Sequence, residues 1–456
     1  MKSLAVVVSA LVFAAALWTF LKAARLRNSI YRYRVNGDQH LDFPVARSTQ
    51  VPCHLANGHI DVPPATPARA VVLLELRIRR TLLGFWFEPY ITIGSADRRL
   101  RQPFERGGAG VRYVDLTGFV HQGERSLRLR GHFLGIPDQT AVLHCLQHAV
   151  DLDRSKILVI GTHPDDAEIA AFGVYADRDA HVITLTAGEA GEAGPFERFG
   201  GDRAHLEKGR NRAWNSVAVP MLGGISINCT ANLGYFDGTL ETMRKHPEAP
   251  VRSLHSNAEF LDAFGSSHDR ALIGSRQGRR ATWANLVADL EHLVQAIQPD
   301  VFVTPYPRLD AHPDHQMSTV ALLEALRNLN WRHGSLLLYT NHLCSSDRFP
   351  FGDAGDLVSV PPGVDGIFFE GIVSNALDAQ MQSRKHMALD AMIDLRPNIQ
   401  AESLPSVVTA LKNALKSTIT DVHTSYFRQA VRANELFFEV RVASLYEPGV
   451  TEKLLG

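Results

Sequence analysis

Ile157-Leu158-Val159-Ile160 runs without a polar side chain into Gly161-Thr162-His163-Pro164-Asp165-Asp166-Ala167-Glu168. A short, wholly apolar run is the signature of a strand buried on both faces, and such strands belong to parallel sheets covered by helices. The residues from Glu168 to Tyr175 then read as a helix. Val182-Ile183-Thr184-Leu185-Thr186 repeats the strand pattern, and Val301-Phe302-Val303-Thr304 repeats it again behind an amphipathic helix from Ala284 to Ile297. Strands alternating with helices predict a Rossmann-like α/β fold, a mostly parallel sheet with helices on both faces. Sheets of this kind bind ligands beyond the carboxyl ends of their strands.

Two polar clusters lie at such ends. The first is His163-Pro164-Asp165-Asp166 and the second is Asp310-Ala311-His312-Pro313-Asp314-His315. Pro164 and Pro313 fix φ and stiffen their turns. Asp165 and Asp166 are neighbours and point in different directions, so one can bind a metal while the other faces water. His312 and His315 are three apart at the start of a helix predicted from Gln316 to Arg327, which lets both project from one side. Imidazole nitrogen and carboxylate oxygen suit zinc, whose catalytic sites take three protein ligands and keep one position open. His163, Asp166 and His315 can supply the three. Taken singly, Asp165-Asp166 reads as a helix N-cap and Glu168 as a first-turn residue favouring the helix dipole. The coincidence of both clusters at equivalent places in the sheet is what points to a site.

Upstream the texture differs. Leu4 to Leu21 is apolar except for Ser9 and Thr19, about the shortest run that spans a bilayer as a helix. Lys22, Arg25, Arg27, Arg32 and Arg34 follow it, so residues 1–35 read as an N-terminal transmembrane anchor with a basic flank. A cleaved signal peptide is the competing reading. The positive-inside rule places the remainder on the cytoplasmic face of a bacterial-type inner membrane, as a single-pass protein. Residues 36–68, with Pro52, Pro63, Pro64 and Pro67, read as a linker or surface strands. Residues 69–150 carry short β-rich runs (Val71–Leu74, Tyr90–Ile93, Val111–Val114, Leu127–Arg130) and predict a small antiparallel β-sandwich. Residues 151–445 form the α/β domain.

The balance of charge excludes one class of partner. Lysine and arginine number 47 against 48 acidic residues, a net charge of −1, which gives no reason to expect nucleic-acid binding. Cys53, Cys145, Cys229 and Cys344 lie far apart without a CxxC pair, so neither a disulfide framework nor a thiolate metal site is expected.

His163-Pro164-Asp165-Asp166-Ala167-Glu168 together with His312-Pro313-Asp314-His315 resembles the PIG-L/LmbE-like family of zinc de-N-acetylases. Thr184 to Gly191, Leu233-Gly234-Tyr235-Phe236-Asp237-Gly238 and Asn434-Glu435-Leu436-Phe437 are similar to further elements of that family. The resemblance implies that His163, Asp166 and His315 hold Zn2+, that Asp165 is the general base, and that His312 stabilises the oxyanion. It implies that Asp314 orients a histidine from behind, and that Arg203 and Asp237 contact sugar hydroxyls. The implied substrate is an N-acetylated amino sugar in a lipid-linked glycan or lipopolysaccharide-type glycolipid. The alternative is a glycan-binding membrane protein of the same fold without activity. Three features depart from the family: a long polar segment from Glu241 to Arg280, Asp310 where relatives can carry tyrosine, and an altered stretch from Lys385 to Asp394.

Overall fold

A computed structural model describes residues 30–67, 70–95, 98–265, 270–392, 395 and 430–456. Nine strands make the first domain: β1 (Ser48–Ala56), β2 (His59–Asp61), β3 (Val71–Arg80), β4 (Tyr90–Gly94), β5 (Arg99–Pro103), β6 (Gly110–Asp115), β7 (Ser126–His132), β8 (Leu134–Gly135) and β9 (Gln139–Leu146). Every pairing among them is antiparallel, in the order β5-β4-β7-β2-β1-β9-β3-β6 with β8 against β3. The sheet curls on itself. Buried Gln102 on β5 donates to the Tyr113 carbonyl of β6 at 2.7 Å and accepts from the Asp115 amide at 2.8 Å, so one side chain joins the first strand of the path to the last. Alternation sets what is enclosed: Leu127 and Leu129 are buried while Arg128 and Arg130 are exposed.

Of the two readings of residues 36–68, linker or surface strands, the linker is corrected here and strands are found. β1 and β2 lie within that stretch, and β1 pairs with β9 from Ser48 to Leu55. The proline residues misled because Pro52 sits inside β1, opposite Val142. Residues 30–35, assigned to the flank of an anchor, also belong to the body: Arg32 donates to the Cys344 carbonyl and pairs with Asp347. Among the described residues no helix is long and apolar enough to cross a membrane. The expected spanning helix falls on residues 1–29, outside the described ones.

The second domain is built on β10 (Ile157–Gly161), β11 (Ala180–Thr186), β12 (Thr230–Tyr235), β13 (Val301–Pro305), β14 (Ser335–Tyr339), β15 (Gly371–Ala376) and β16 (Asn434–Arg441), in the order β12-β11-β10-β13-β14-β16-β15. Five of these run parallel, and β16 is antiparallel to both its neighbours. The helices that position the site are α1 (Asp166–Tyr175), α2 (Gly201–Ala218), α3 (Trp283–Ile297), α4 (Pro313–Asn328) and α5 (Ala379–Ala391). Along β10 the side chains alternate between two cores. Leu158 and Ile160 pack with Leu286, Leu290 and Leu322 from α3 and α4, whereas Ile157 and Val159 pack with Phe172 of α1 and Leu389 of α5. Helices therefore cover both faces, which is why β10 reads as unbroken apolar sequence.

The described part of the segment from Glu241 to Arg280 is anchored to this domain at a few points. Leu261 and Phe264 are buried in its core, and Arg276 donates to Asp289 on α3 at 2.6 Å.

Candidate metal centre

The carboxyl ends of five adjacent parallel strands deliver the site. β10 leads to His163, Asp165 and Asp166; β11 to Gly188 and Glu189; β12 to Asp237; β13 to Asp310, His312 and His315; and β14 to Asn341. These four aspartates, and Asp314 between the last two histidines, are buried.

Three atoms meet at the centre. His163 Nδ1 lies 3.1 Å from His315 Nε2 and 3.3 Å from Asp166 Oδ2, and His315 Nε2 lies 3.1 Å from that same oxygen. Donors about 2.0 Å from a tetrahedral ion sit about 3.3 Å from one another. Two imidazole nitrogens and a carboxylate oxygen at this spacing fit one metal ion. Five buried carboxylates with one nearby guanidinium also call for a compensating cation. Two other groupings include His163, one with Asp237 and Asp314 and one with His312 and His315. The Asp314 oxygens accept from the Gly238 amide at 2.6 Å and the Leu240 amide at 3.2 Å, as Asp166 Oδ2 accepts from the His163 amide at 2.7 Å. His312 Nδ1 accepts from the Asp314 amide, which leaves its Nε2 to face the centre.

Each ligand is held from behind. His163 Nε2 faces Asp237 Oδ1 at 3.1 Å, with Asp314 Oδ2 at 3.7 Å, and His315 Nδ1 faces Asp310 Oδ2 at 3.1 Å. Asn341 Nδ2 donates to Asp166 Oδ1 at 2.8 Å. Such partners fix ring orientation and make the ligand more basic. Burial pulls His315 down, yet the Asp166 and Asp310 carboxylates push it up to about 10; His163 is likewise raised against its burial by Asp237, Asp166 and Asp314. Burial pushes Asp166 up, but the two imidazoles outweigh it and hold that carboxyl well below the usual range. This is the electrostatics of a site prepared for a cation.

Asp165 occupies the N-cap position of α1, but its side chain makes no capping hydrogen bond. It pairs instead with Arg212 of α2 at 3.0 Å. Arg212 also donates to the Gly188 carbonyl at 3.0 Å and the Pro164 carbonyl at 3.1 Å, clamping the first cluster to the loop after β11. Gly188 must be glycine: its φ is +65°, and a Cβ would meet Pro164 Cδ and Arg212 Nη1 at 2.7 Å. His312 caps α4, its Nδ1 accepting from the Asp314 amide at 3.2 Å, and a neutral ring then carries its proton on Nε2. Burial, with His163 and His315 nearby, holds His312 down at about 4, so the ring is neutral near pH 7.

The structure thus brings together His163, Asp165, Asp166, His312, Asp314 and His315. Asp237 is present too, but it is turned to His163 where a sugar contact was expected. Arg203 is not part of the site: it is exposed near the start of α2, over the Phe199 ring at 5.8 Å. The arginine that matters is Arg212, two and a half turns further along the same helix. Arg212, Asn341 and His342, whose ring lies 5.1 Å from that of His315, were not singled out by sequence. Asn341 follows the carboxyl end of β14, so recognition of that strand would have pointed to it.

The chain thus presents a mostly parallel α/β sheet with a candidate His/Asp metal site at its carboxyl edge. Residues 158–326 match the model of the PIG-L: GlcNAc-PI de-N-acetylase family, and in this stretch the chain is similar to that family. Among solved structures, the A40926 pseudoaglycone deacetylase Dbv21 is 19% identical over 64% of this chain and 99% of its own, with a TM-score of 0.31. GalB, the 4-carboxy-2-hydroxymuconate hydratase of Pseudomonas putida KT2440, is 15% identical over 62% of this chain and 96% of its own, with a TM-score of 0.33. No curated protein matches the chain.

Proposed function

We propose that the protein is a zinc-dependent hydrolase that removes the acetyl group from an N-acetylated amino sugar within a lipid-linked glycan, working at the cytoplasmic face of a membrane. The observation that carries this reading is the triangle of His163 Nδ1, Asp166 Oδ2 and His315 Nε2 with Asp165 beside it. The PIG-L match over residues 158–326 supports the reaction class.

His163, Asp166 and His315 would hold the ion. Bound there, zinc supplies a Lewis acid for the amide carbonyl and lowers the pKa of a water toward about 7. Asp165, a carboxylate positioned by Arg212, takes the proton of the attacking water. The C–O bond forms as the carbonyl becomes a tetrahedral oxyanion, and His312 Nε2–H is the donor available to that oxygen. Asp165 returns the proton to the sugar nitrogen as the C–N bond breaks, and acetate and the free amine leave. The neutrality of His312 matters here, because its Nδ1 is committed to the helix cap and only Nε2 is left to donate.

The test is acetate release from a panel of N-acetylated glycolipids by the purified chain, with metal content measured in parallel. Release that a chelator abolishes and zinc restores, together with Asp165→Ala keeping its metal but losing turnover, is the expected result. Acetate release indifferent to chelator would refute the metal role, and normal turnover by Asp165→Ala would refute the base.

A further inference from the structure

Of the thirteen large apolar side chains exposed among the described residues, five cluster on one end of the β domain: Leu82, Leu83, Trp86, Phe87 and Phe133. Leu82 is 84% exposed and Trp86 45%. The cluster is built rather than frayed. Thr81 Oγ1 donates to the Phe133 carbonyl at 2.6 Å and accepts from the Gly84 amide at 3.1 Å, and the Phe87 and Phe133 rings stack at 5.0 Å. A Cβ on Gly84 would run into the Phe133 carbonyl, so the two turns are matched to each other. Phe133 itself has φ +59°, a conformation that costs a bulky residue free energy. The fold thus spends strain to hold an aromatic ring in water.

Cations surround the cluster. Arg79 and Arg80 end β3 beside it, Arg80 lying over the Phe85 ring at 5.8 Å. Arg130 projects from the outer face of β7, on the same side as His132, whose ring stacks on Tyr90 at 4.5 Å. Glu88, the acidic group of the loop, is turned inward to accept from the Gly352 amide at 3.0 Å.

The chain also enters the body at this place. Tyr31 accepts from the Arg106 amide at 3.2 Å, the adjoining Gly107 amide donates to the Gly84 carbonyl at 2.8 Å, and the Tyr31 ring lies 6.0 Å from that of Phe351, next to Gly352. The apolar run ends at Leu21 and the described chain begins at Ile30. The nine Cα steps from Leu21 to Ile30 reach at most about 32 Å. A surface that received Leu4 to Leu21 would lie within that reach of Ile30.

We infer that the Leu82–Phe87 loop and Phe133, with Arg79, Arg80 and Arg130 around them, seat the β domain on the surface of an anionic lipid bilayer. Protruding leucine and aromatic side chains enter the interface, and the guanidinium groups meet headgroup phosphates. Two other occupants suit the patch less. A glycan platform has rings and polar partners here, but no role for Leu82, the most exposed side chain of the patch at 84%. A second copy laid patch to patch would set arginine against arginine.

The test uses the full-length chain reconstituted into vesicles containing phosphatidylglycerol, with and without brominated acyl chains. Subtracting the emission of Trp86→Phe from that of the parent isolates Trp86 from Trp18, Trp214, Trp283 and Trp331. That component should fall to about half or less in brominated vesicles, and Arg79→Glu with Arg130→Glu should restore most of it. Equal Trp86 emission in plain and brominated vesicles overturns the inference. So does a Trp86 component that changes instead with added soluble oligosaccharide, or with protein concentration in detergent, since these would mark a glycan or a second copy as the occupant.

Discussion

Asp310→Asn removes one charge and almost no volume from the wall behind the metal centre. Asp310 is fully buried. Its Oδ2 faces His315 Nδ1 and accepts from the amides of Asn341 at 3.0 Å and His342 at 3.2 Å, while Oδ1 accepts from the His312 amide at 3.0 Å. The asparagine amide group fits least badly at the Oδ1 position, where it opposes one N–H instead of three. His315 then keeps an acceptor but loses its anionic partner. Losses of this kind lower metal affinity about 10–100-fold, or about 1.4–2.7 kcal/mol. The opposed His312 N–H adds about 1–3 kcal/mol of lost fold stability. Competition against a fluorescent zinc chelator reads the first quantity, and a thermal melt of the metal-free protein reads the second. Binding by Asp310→Asn within about threefold of the parent, below the smallest effect such partners usually have, would show that Asp310 does not support His315 and would refute the ligand geometry.

Other outcomes follow from the same contacts. His312→Ala should retain metal and lose about 10²–10³ in turnover, the usual cost of an oxyanion donor; unchanged kcat removes His312 from the chemistry. Arg212→Lys cannot reach Asp165, Gly188 and Pro164 together, so kcat should fall by about 10² while metal content holds; loss of metal instead would make Arg212 a scaffold residue only. Burial raises Glu189 to about 7 even though Ser253 and the Asp237 amide donate to it. The folded chain keeps that proton after the unfolded chain has lost it near 4.5, so this group's contribution to stability declines as pH rises from about 4.5 to 7 and is flat above. Glu189→Gln should remove that decline in denaturant titrations, and an unchanged pH profile would count against it.

Legibility differed between the two domains for a physical reason. β10, β11 and β13 are buried on both faces and announce themselves as apolar runs, and the two histidine clusters follow two of them directly. β1 was hidden because Pro52 and alternating exposed residues look like loop, although the partner strand β9 accommodates them. The candidate ligands are readable because each lies within a few residues of another polar group in a tight turn. Arg212 and Asn341 were not, since a buried arginine on a polar helix and an asparagine after an unnoticed strand look like surface. Asp310 stood out as a departure from the family, yet only the structure shows it behind His315.

One consequence concerns where this protein can be cut. Val71, Leu73, Tyr113 and Leu146 of the β domain share a core with Phe302, Leu336 and Phe438 of the α/β domain. Asp115 also accepts from Ser374 at 2.5 Å and from Asn434 at 2.9 Å across the boundary. The strand β16, which shields the open side of β14, arrives from beyond the family-matched residues 158–326. A gene fragment trimmed to that match would expose a greasy flank and an unpaired sheet margin, and expression trials should therefore carry both halves of the chain through to its last helix.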